Sequence, residues 1–238
     1  MKSTVLVVAL VFLAGCGEPA DEPEPAGEVS LDGCRAPDGL GSPQSIDEAL
    51  TLLNALPSPV SVPCVIQSLD RPLGFRATRG TISAQPALSE KSPRIFLLND
   101  HLTLSIVPDG RGRELLEFGE SDGNGNSLKG ELNMPIATPV TADKPYDHLR
   151  YNEHVTVCGL CHRDEVVAPE AGHANAYLSR AFKPLPQEVV DVDDVRAEWE
   201  ACDPEVEPDR CAMLGAIFDH GPVEERLFPE NYGTIVRP

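Results

Sequence analysis

The chain is poor in basic residues, with 19 Lys and Arg against 38 Asp and Glu, and its formal net charge is −19. A nucleic-acid backbone would be repelled by that charge, and no stretch rich in Lys or Arg offsets it, so a nucleic-acid partner is not expected. The sequence contains no internal repeat, which argues against a solenoid. Beyond residue 13 it has no apolar run long enough to span a bilayer, which excludes a polytopic membrane protein.

The N-terminus has the features of an export signal. Met1-Lys2 supplies a positive start, and Val5 to Leu13 is an apolar run too short for a transmembrane helix. The residues Leu13-Ala14-Gly15-Cys16 resemble the lipobox of bacterial lipoproteins. That resemblance implies that residues 1–15 are removed and that Cys16 is acylated, which would anchor the protein to a lipid membrane of the bacterial cell envelope, on the periplasmic or outer-membrane side. The alternative is an ordinary cleaved signal in which Cys16 has no role.

Residues 16–30 are predicted to be an extended tether. Glu18 to Glu28 contain only Pro, Ala, Gly, Asp and Glu, which have little apolar surface to bury. The remaining chain divides by pattern into a β-rich region, residues 31–144, and a C-terminal segment, residues 145–238.

The most informative motif is Cys158-Gly159-Leu160-Cys161-His162, which reads C-x-x-C-H. Two thiols at this spacing can form thioethers with the two vinyl groups of one haem, and the adjoining histidine is then placed beneath the ring. These five residues, in an exported chain, resemble the attachment sequence of c-type cytochromes. The resemblance implies one covalent haem c on Cys158 and Cys161, with His162 as the proximal iron ligand. It favours an electron carrier over a catalyst.

Two other chemistries fit the same residues. Cys158 to Cys161 has the C-G-x-C spacing of a thioredoxin-type dithiol, although the usual preceding tryptophan is absent. A zinc site would need two further ligands from residues such as His162, His173, Cys202 or Cys211, and the sequence has no second C-x-x-C or H-x3-H. A third alternative is a non-catalytic surface lipoprotein whose cysteines only cross-link the fold.

The sixth iron ligand would determine the chemistry of such a haem, because methionine or histidine favours electron transfer and an open position permits ligand binding. Met213, on a predicted helix, and His173, on a predicted loop, are the leading candidates. The others are an open position and His148, His154, His220 and Met134.

Four cysteines remain once Cys16, Cys158 and Cys161 are assigned, and an exported compartment favours disulfides. Four cysteines allow three connectivities, and the favoured pairs are Cys34 with Cys64 and Cys202 with Cys211. The alternative is that some of these four bind a metal.

The periodicity of the chain predicts an α+β fold. Ser45 to Leu56 has the apolar spacing of a helix, with Ser45 as N-cap and Glu48 completing a capping box. Turn residues separate short strand-like runs, which predicts an antiparallel sheet or sandwich. The predicted strands are Val65–Leu69, Arg94–Leu98, Leu102–Val107, Glu114–Phe118 and Leu132–Ile136. The C-terminal segment is predicted to be helical and cysteine-rich, with helices over Ala174–Phe182, Asp193–Ala201 and Asp209–Phe218.

These features together predict a membrane-anchored envelope haem protein that transfers single electrons. The β-rich region would act as scaffold or docking surface. The redox partner would be another envelope protein, and a basic partner would be steered by the acidic surface.

Overall fold

The computed structural model describes residues 33–147, 149–152, 156–162, 164–173 and 175–234. Cys16, the signal sequence and the whole tether, residues 16–30, lie outside these residues. The described chain has an α+β fold with four α-helices: α1 (Ile46–Ala55), α2 (Val62–Ser68), α3 (Val192–Glu200) and α4 (Pro208–Phe218). Its strands are β1 (Leu73–Thr78), β2 (Arg94–Leu98), β3 (Leu102–Ile106), β4 (Leu115–Ser121), β5 (Asn126–Asn133), β6 (Val166–Val167), β7 (Tyr177–Arg180), β8 (Phe182–Lys183), β9 (Val189–Val190), β10 (Val223–Glu225) and β11 (Gly233–Thr234).

A single large sheet organises the described chain. Its strand order is β10-β1-β2-β3-β4-β5-β7-β6, and β9 also pairs with β1. Strands β1 to β5 form an antiparallel meander, while β10 runs parallel to β1 at one edge. The sheet takes strands from both sides of residue 145, so the two segments distinguished by sequence pattern share one sheet. In the described part of the chain, no helix has the length and apolar character needed to cross a membrane.

The two faces of the sheet differ because side chains alternate along each strand. One face carries buried apolar residues and packs in a common core with the helices, including Phe75, Ile95, Leu104, Leu116 and Leu132 from the strands and Ile46, Leu53, Ile66 and Leu214 from the helices. The opposite face carries charged and hydroxyl groups at the intervening positions. We call this surface, formed by Arg94, Ser105, Glu117, Lys129 and Glu131, the polar face. It is the face on which the Cys158–His162 motif lies.

The first helix forms as predicted, because its ends are defined by local hydrogen bonds. The Ser45 hydroxyl accepts from the amide of Glu48, and the Glu48 carboxylate accepts from the amide of Gln44 at 2.7 Å. The predicted hairpins are confirmed as well: β2 pairs with β3 and β3 with β4, both antiparallel.

The strand predicted over Val65–Leu69 is wrong, because these residues belong to α2 and its C-cap. The Ser61 hydroxyl caps this helix by accepting from the amide of Cys64, and Pro63 lies in the first turn, where a missing N–H costs nothing. An apolar run this short is ambiguous by periodicity alone.

The helix predicted over Ala174–Phe182 is also wrong in its described part, where β7 pairs antiparallel with the start of β5. Pairing to an exposed strand edge overrides a local helical preference. That partner was itself misplaced by the sequence pattern: β5 ends at Asn133, and the predicted strand over Leu132–Ile136 overlaps only its last two residues.

Two disulfides join the pairs that the sequence favours, Cys34 with Cys64 and Cys202 with Cys211. The first ties the N-terminal loop to α2, and the second links the end of α3 to α4. Cys202 and Cys211 are therefore not available as zinc ligands.

Removing both cysteines of one disulfide should destabilise the protein, and the loss should be larger for the disulfide that closes the longer loop. The Cys34–Cys64 pair spans 30 positions and the Cys202–Cys211 pair spans 9. Loop-closure entropy gives losses in the free energy of unfolding of about 3.5 and about 2.5 kcal/mol, respectively. Urea denaturation of the two double-alanine variants measures this order. Non-reducing peptide maps that link Cys34 to Cys202 or Cys211 would contradict the pairing.

Candidate functional site

The motif Cys158–His162 lines a cavity of about 220 Å³ on the polar face of the sheet. We call this cavity the motif pocket. Its floor comes from β2, β4 and β5, which contribute Arg94, Glu117 and Lys129. Its walls come from three other segments: residues 78–84, the turn that carries the motif, and residues 182–188. The lining mixes these charged groups with apolar side chains such as Ile82, Phe96, Leu149, Val157 and Leu185.

The motif itself forms a tight turn. Cys158–Leu160 is a 3₁₀ segment, and the carbonyl of Cys158 accepts from the amides of Cys161 and His162 at 3.1 and 2.8 Å. This turn brings both cysteines and the histidine to the same pocket. Both thiols are free, with Cys158 half-buried and Cys161 exposed.

His162 is held in a defined orientation. Its Nδ1 lies 2.7 Å from the carbonyl oxygen of Arg180, and its ring stacks on Phe182 with the ring centres 5.0 Å apart. A carbonyl oxygen can only accept, so Nδ1 carries the proton. Burial lowers the pKa of His162 to about 4, and the positive charge of Lys129 acts in the same direction. The ring is therefore neutral at neutral pH, and the Nε2 lone pair is free of a proton.

Cys158 is not activated for thiol–disulfide exchange. Burial raises the pKa of Cys158 to about 11, and the negative charge of Glu117 adds to that effect. A thiolate is the nucleophile in exchange chemistry, and reactive dithiols have a lowered pKa. Cys158 therefore remains a neutral thiol at physiological pH in the protein described here.

The floor of the motif pocket is organised around Arg94. Its guanidinium donates to a Glu117 carboxylate oxygen at 2.5 Å and to the Ser105 hydroxyl at 2.7 Å, and a third bond reaches Ser83. The Arg94 and Glu117 side chains are only 18% and 17% exposed. Burial raises the pKa of Glu117, and the charge of Arg94 opposes this.

Lys129 is the second cation of the floor. Its Nζ donates to the hydroxyl of Ser127. Burial lowers the pKa of Lys129 to about 8, against the opposing negative charge of Glu117. A mostly cationic amine thus faces the same space as the two thiols and the imidazole.

The two leading candidates for a sixth ligand lie elsewhere. Met213 is 3% exposed in α4, within the apolar core. His173 has Nδ1 2.9 Å from Asp143 and Nε2 3.5 Å from Asp47, and it stacks on Tyr146. Neither residue lines the motif pocket. Met134 is also in the core and His220 is exposed at the surface, while His148 and His154 lie outside the described residues.

A protein-only metal centre is not found among the residues that the structure describes. No three His, Cys, Asp or Glu side chains come close enough there to hold a metal ion together. The zinc alternative also loses Cys202 and Cys211 to their disulfide.

The charged floor was missed by the sequence reasoning. Each of the three charged residues, Arg94, Glu117 and Lys129, is next to a buried apolar residue in its strand. This alternation is what a sheet face exposed to solvent would also show. A weak signal was present in single charged residues inside or beside apolar runs, Glu117 between Leu116 and Phe118 and Lys129 after Leu128. Whether such a face meets water or another segment of the chain is not visible in the strand pattern.

Comparisons of this chain with protein-family models, curated proteins and solved structures find no match. The function of the protein is therefore inferred from the chemistry of the residues described above.

Proposed function

We propose that this protein is a lipid-anchored c-type haem protein of the bacterial envelope that transfers single electrons. The haem would be bound covalently through Cys158 and Cys161, with His162 as the proximal ligand. The observation that carries the proposal is the state of His162: its Nδ1 proton is bonded to the Arg180 carbonyl, so a neutral imidazole keeps Nε2 for the iron. Metal-binding histidines typically donate their other ring nitrogen in this way.

The other residues of the motif pocket fit the same group. Both thiols are free, as thioether formation requires, and they share one turn with the histidine. Apolar side chains such as Phe96 and Leu185 would provide a wall for a largely apolar ring, and Arg94 and Lys129 would supply positive charge to a group that carries carboxylates. When bound, haem supplies a one-electron redox couple. The chain would hold it through Cys158 and Cys161 and keep the His162 imidazole unprotonated at Nε2.

The haem function is favoured over a dithiol function because the raised pKa of Cys158 disfavours the thiolate. In this proposal, residues 145–238 carry the cofactor, and residues 31–144 provide the scaffold or docking surface. Cys16 carries the lipid, and an envelope redox protein, steered by the net charge of −19 if it is basic, accepts or supplies the electron.

The test is to express the full chain beside a haem-attachment system and examine the purified protein. It should show a Soret band, keep haem-dependent peroxidase staining on a denaturing gel, and exceed the mass of the lipidated chain by one haem. The Cys158→Ser/Cys161→Ser variant should lack all three signals. A wild-type protein that carries no covalent haem, but binds zinc or undergoes thiol exchange, would overturn the proposal.

A further inference from the structure

Glu165 makes an unusually specific pair of contacts with the residue that introduces the motif. One carboxylate oxygen accepts from the amide of Thr156 at 2.7 Å, and the other accepts from its hydroxyl at 2.6 Å. Thr156 is almost fully buried, at 2% exposure. Both oxygens of one carboxylate are therefore used on a single residue inside the protein.

These contacts continue to the first cysteine. The hydroxyl of Thr156, which donates to Glu165, also accepts from the amide of Cys158 at 3.1 Å. Glu165 immediately precedes β6, which pairs with β7 in the large sheet. A short path of hydrogen bonds thus connects the sheet to Cys158 through Glu165 and Thr156. We call these two residues the clamp.

The clamp also leaves no room for a side chain at Gly159. A Cβ at that position would lie 2.5 Å from one carboxylate oxygen of Glu165 and 2.9 Å from its carboxyl carbon. Real contacts of a Cβ are not this short, so either the residue or the clamp would have to move. The x position of a C-x-x-C-H motif is generally free, whereas here the clamp requires glycine.

We infer that Glu165 is a positioning residue for haem attachment, which acts through Thr156 to fix the Cys158 backbone, and that it makes glycine necessary at position 159. The inference rests on the proposed haem function. The charge of Glu165 has a second consequence, because the carboxylate lies beside the motif, with one oxygen 2.5 Å from the position that a Cβ would take at residue 159. A nearby negative charge stabilises the oxidised, more positive iron, so Glu165 lowers the reduction potential of the bound haem.

Three single variants, one double variant and one control test the clamp. Glu165→Ala should lower the fraction of chains that carry haem by about tenfold, the low end of the loss seen for partners of metal ligands. Glu165→Gln keeps the shape and part of the hydrogen bonding, so it should lose less haem. The haem that remains in either variant should have a higher reduction potential. Glu170→Gln, which makes the same charge change at an exposed site nearby, should alter neither the haem content nor the potential.

Gly159→Ala supplies the sharpest comparison. In the wild-type background it should reduce the haem-carrying fraction about as much as Glu165→Ala, because the new methyl group displaces the carboxylate. In the Glu165→Ala background it should cause no further loss, because the clashing group is gone. This non-additivity is the signature of direct contact.

Equal losses from Gly159→Ala in both backgrounds, or Glu165 variants with wild-type haem content and potential, would overturn the clamp and leave the proposed function standing. If the wild-type chain carries no haem, the proposed function fails. Hydrogen exchange on the haem-free protein then still tests whether Glu165 and Thr156 hold the Cys158 backbone. The amides of Thr156 and Cys158 should lose protection in Glu165→Ala but keep it in Glu170→Gln. Unchanged protection would overturn the clamp in that case as well.

Discussion

His162→Ala should nearly abolish the production of haem-loaded protein and change the spectrum of any that remains. The variant removes the only described imidazole that lines the motif pocket. Mutation of residues that hydrogen-bond to metal ligands typically lowers metal affinity or activity by about 10–100-fold. The loss of an axial ligand itself should lower the yield of haem-loaded protein by more than that. The yield is measured as the Soret absorbance per chain, and ligand loss is measured as a shift toward the high-spin spectrum.

His101→Ala is the matched control for this experiment. His101 lies in the turn between β2 and β3, and its recorded hydrogen bonds are made by the main chain. The variant should mature with normal haem content and a wild-type spectrum. A His162→Ala protein with a normal yield and an unchanged spectrum would show that the iron has a different protein ligand.

Arg94→Leu should strongly destabilise the protein while leaving its helices intact. The change removes the partner of Glu117, and it leaves a carboxylate under the motif pocket whose pKa is already raised by burial. Breaking a buried ion pair by removing one partner typically costs about 3–5 kcal/mol. The Arg94–Glu117 pair is slightly exposed, so the lower end of that range, about 3 kcal/mol, is expected. Urea denaturation measures the loss.

The double variant Arg94→Leu/Glu117→Leu tests the cause. It replaces both charges by apolar groups, and we expect most of the lost stability to return, because apolar replacements of buried pairs are often neutral. A matched exposed pair, Arg180 and Asp164, should show a loss of about 0–1 kcal/mol when Asp164 is changed to Asn. If Arg94→Leu lowers the free energy of unfolding by no more than Asp164→Asn does, or if the double variant is no more stable than Arg94→Leu, the floor of the pocket does not depend on this ion pair.

Local patterns in the sequence were sufficient for several elements. The N-terminus of α1 is set by Ser45 and Glu48, which contact groups within four positions, and β2 to β4 are joined by short turns. The disulfide Cys202–Cys211 closes a loop of 9 positions between two predictable helices. Each of these features depends on neighbours along the chain, so a linear pattern carries the information.

The errors have a common physical origin in non-local contacts. Residues 177–180 form a strand because an edge of β5, about 50 positions earlier, offers unpaired main-chain groups. The helix α2 is the exception, because its local signals, a capping serine and a proline in the first turn, were present in the sequence but were outweighed by β-branched residues.

The sequence by itself determined the C-x-x-C-H motif and its three chemical groups, two thiols and an imidazole, because the motif is contiguous and needs no folding to be recognised. Only the tertiary structure decided what surrounds that motif. It brought Arg94, Glu117 and Lys129 from three strands beneath Cys158 and His162, put Met213 in the core, and joined Glu165 to Thr156. The reason is that the pKa and orientation of each site group depend on burial and on charges that are distant along the chain and adjacent only after folding.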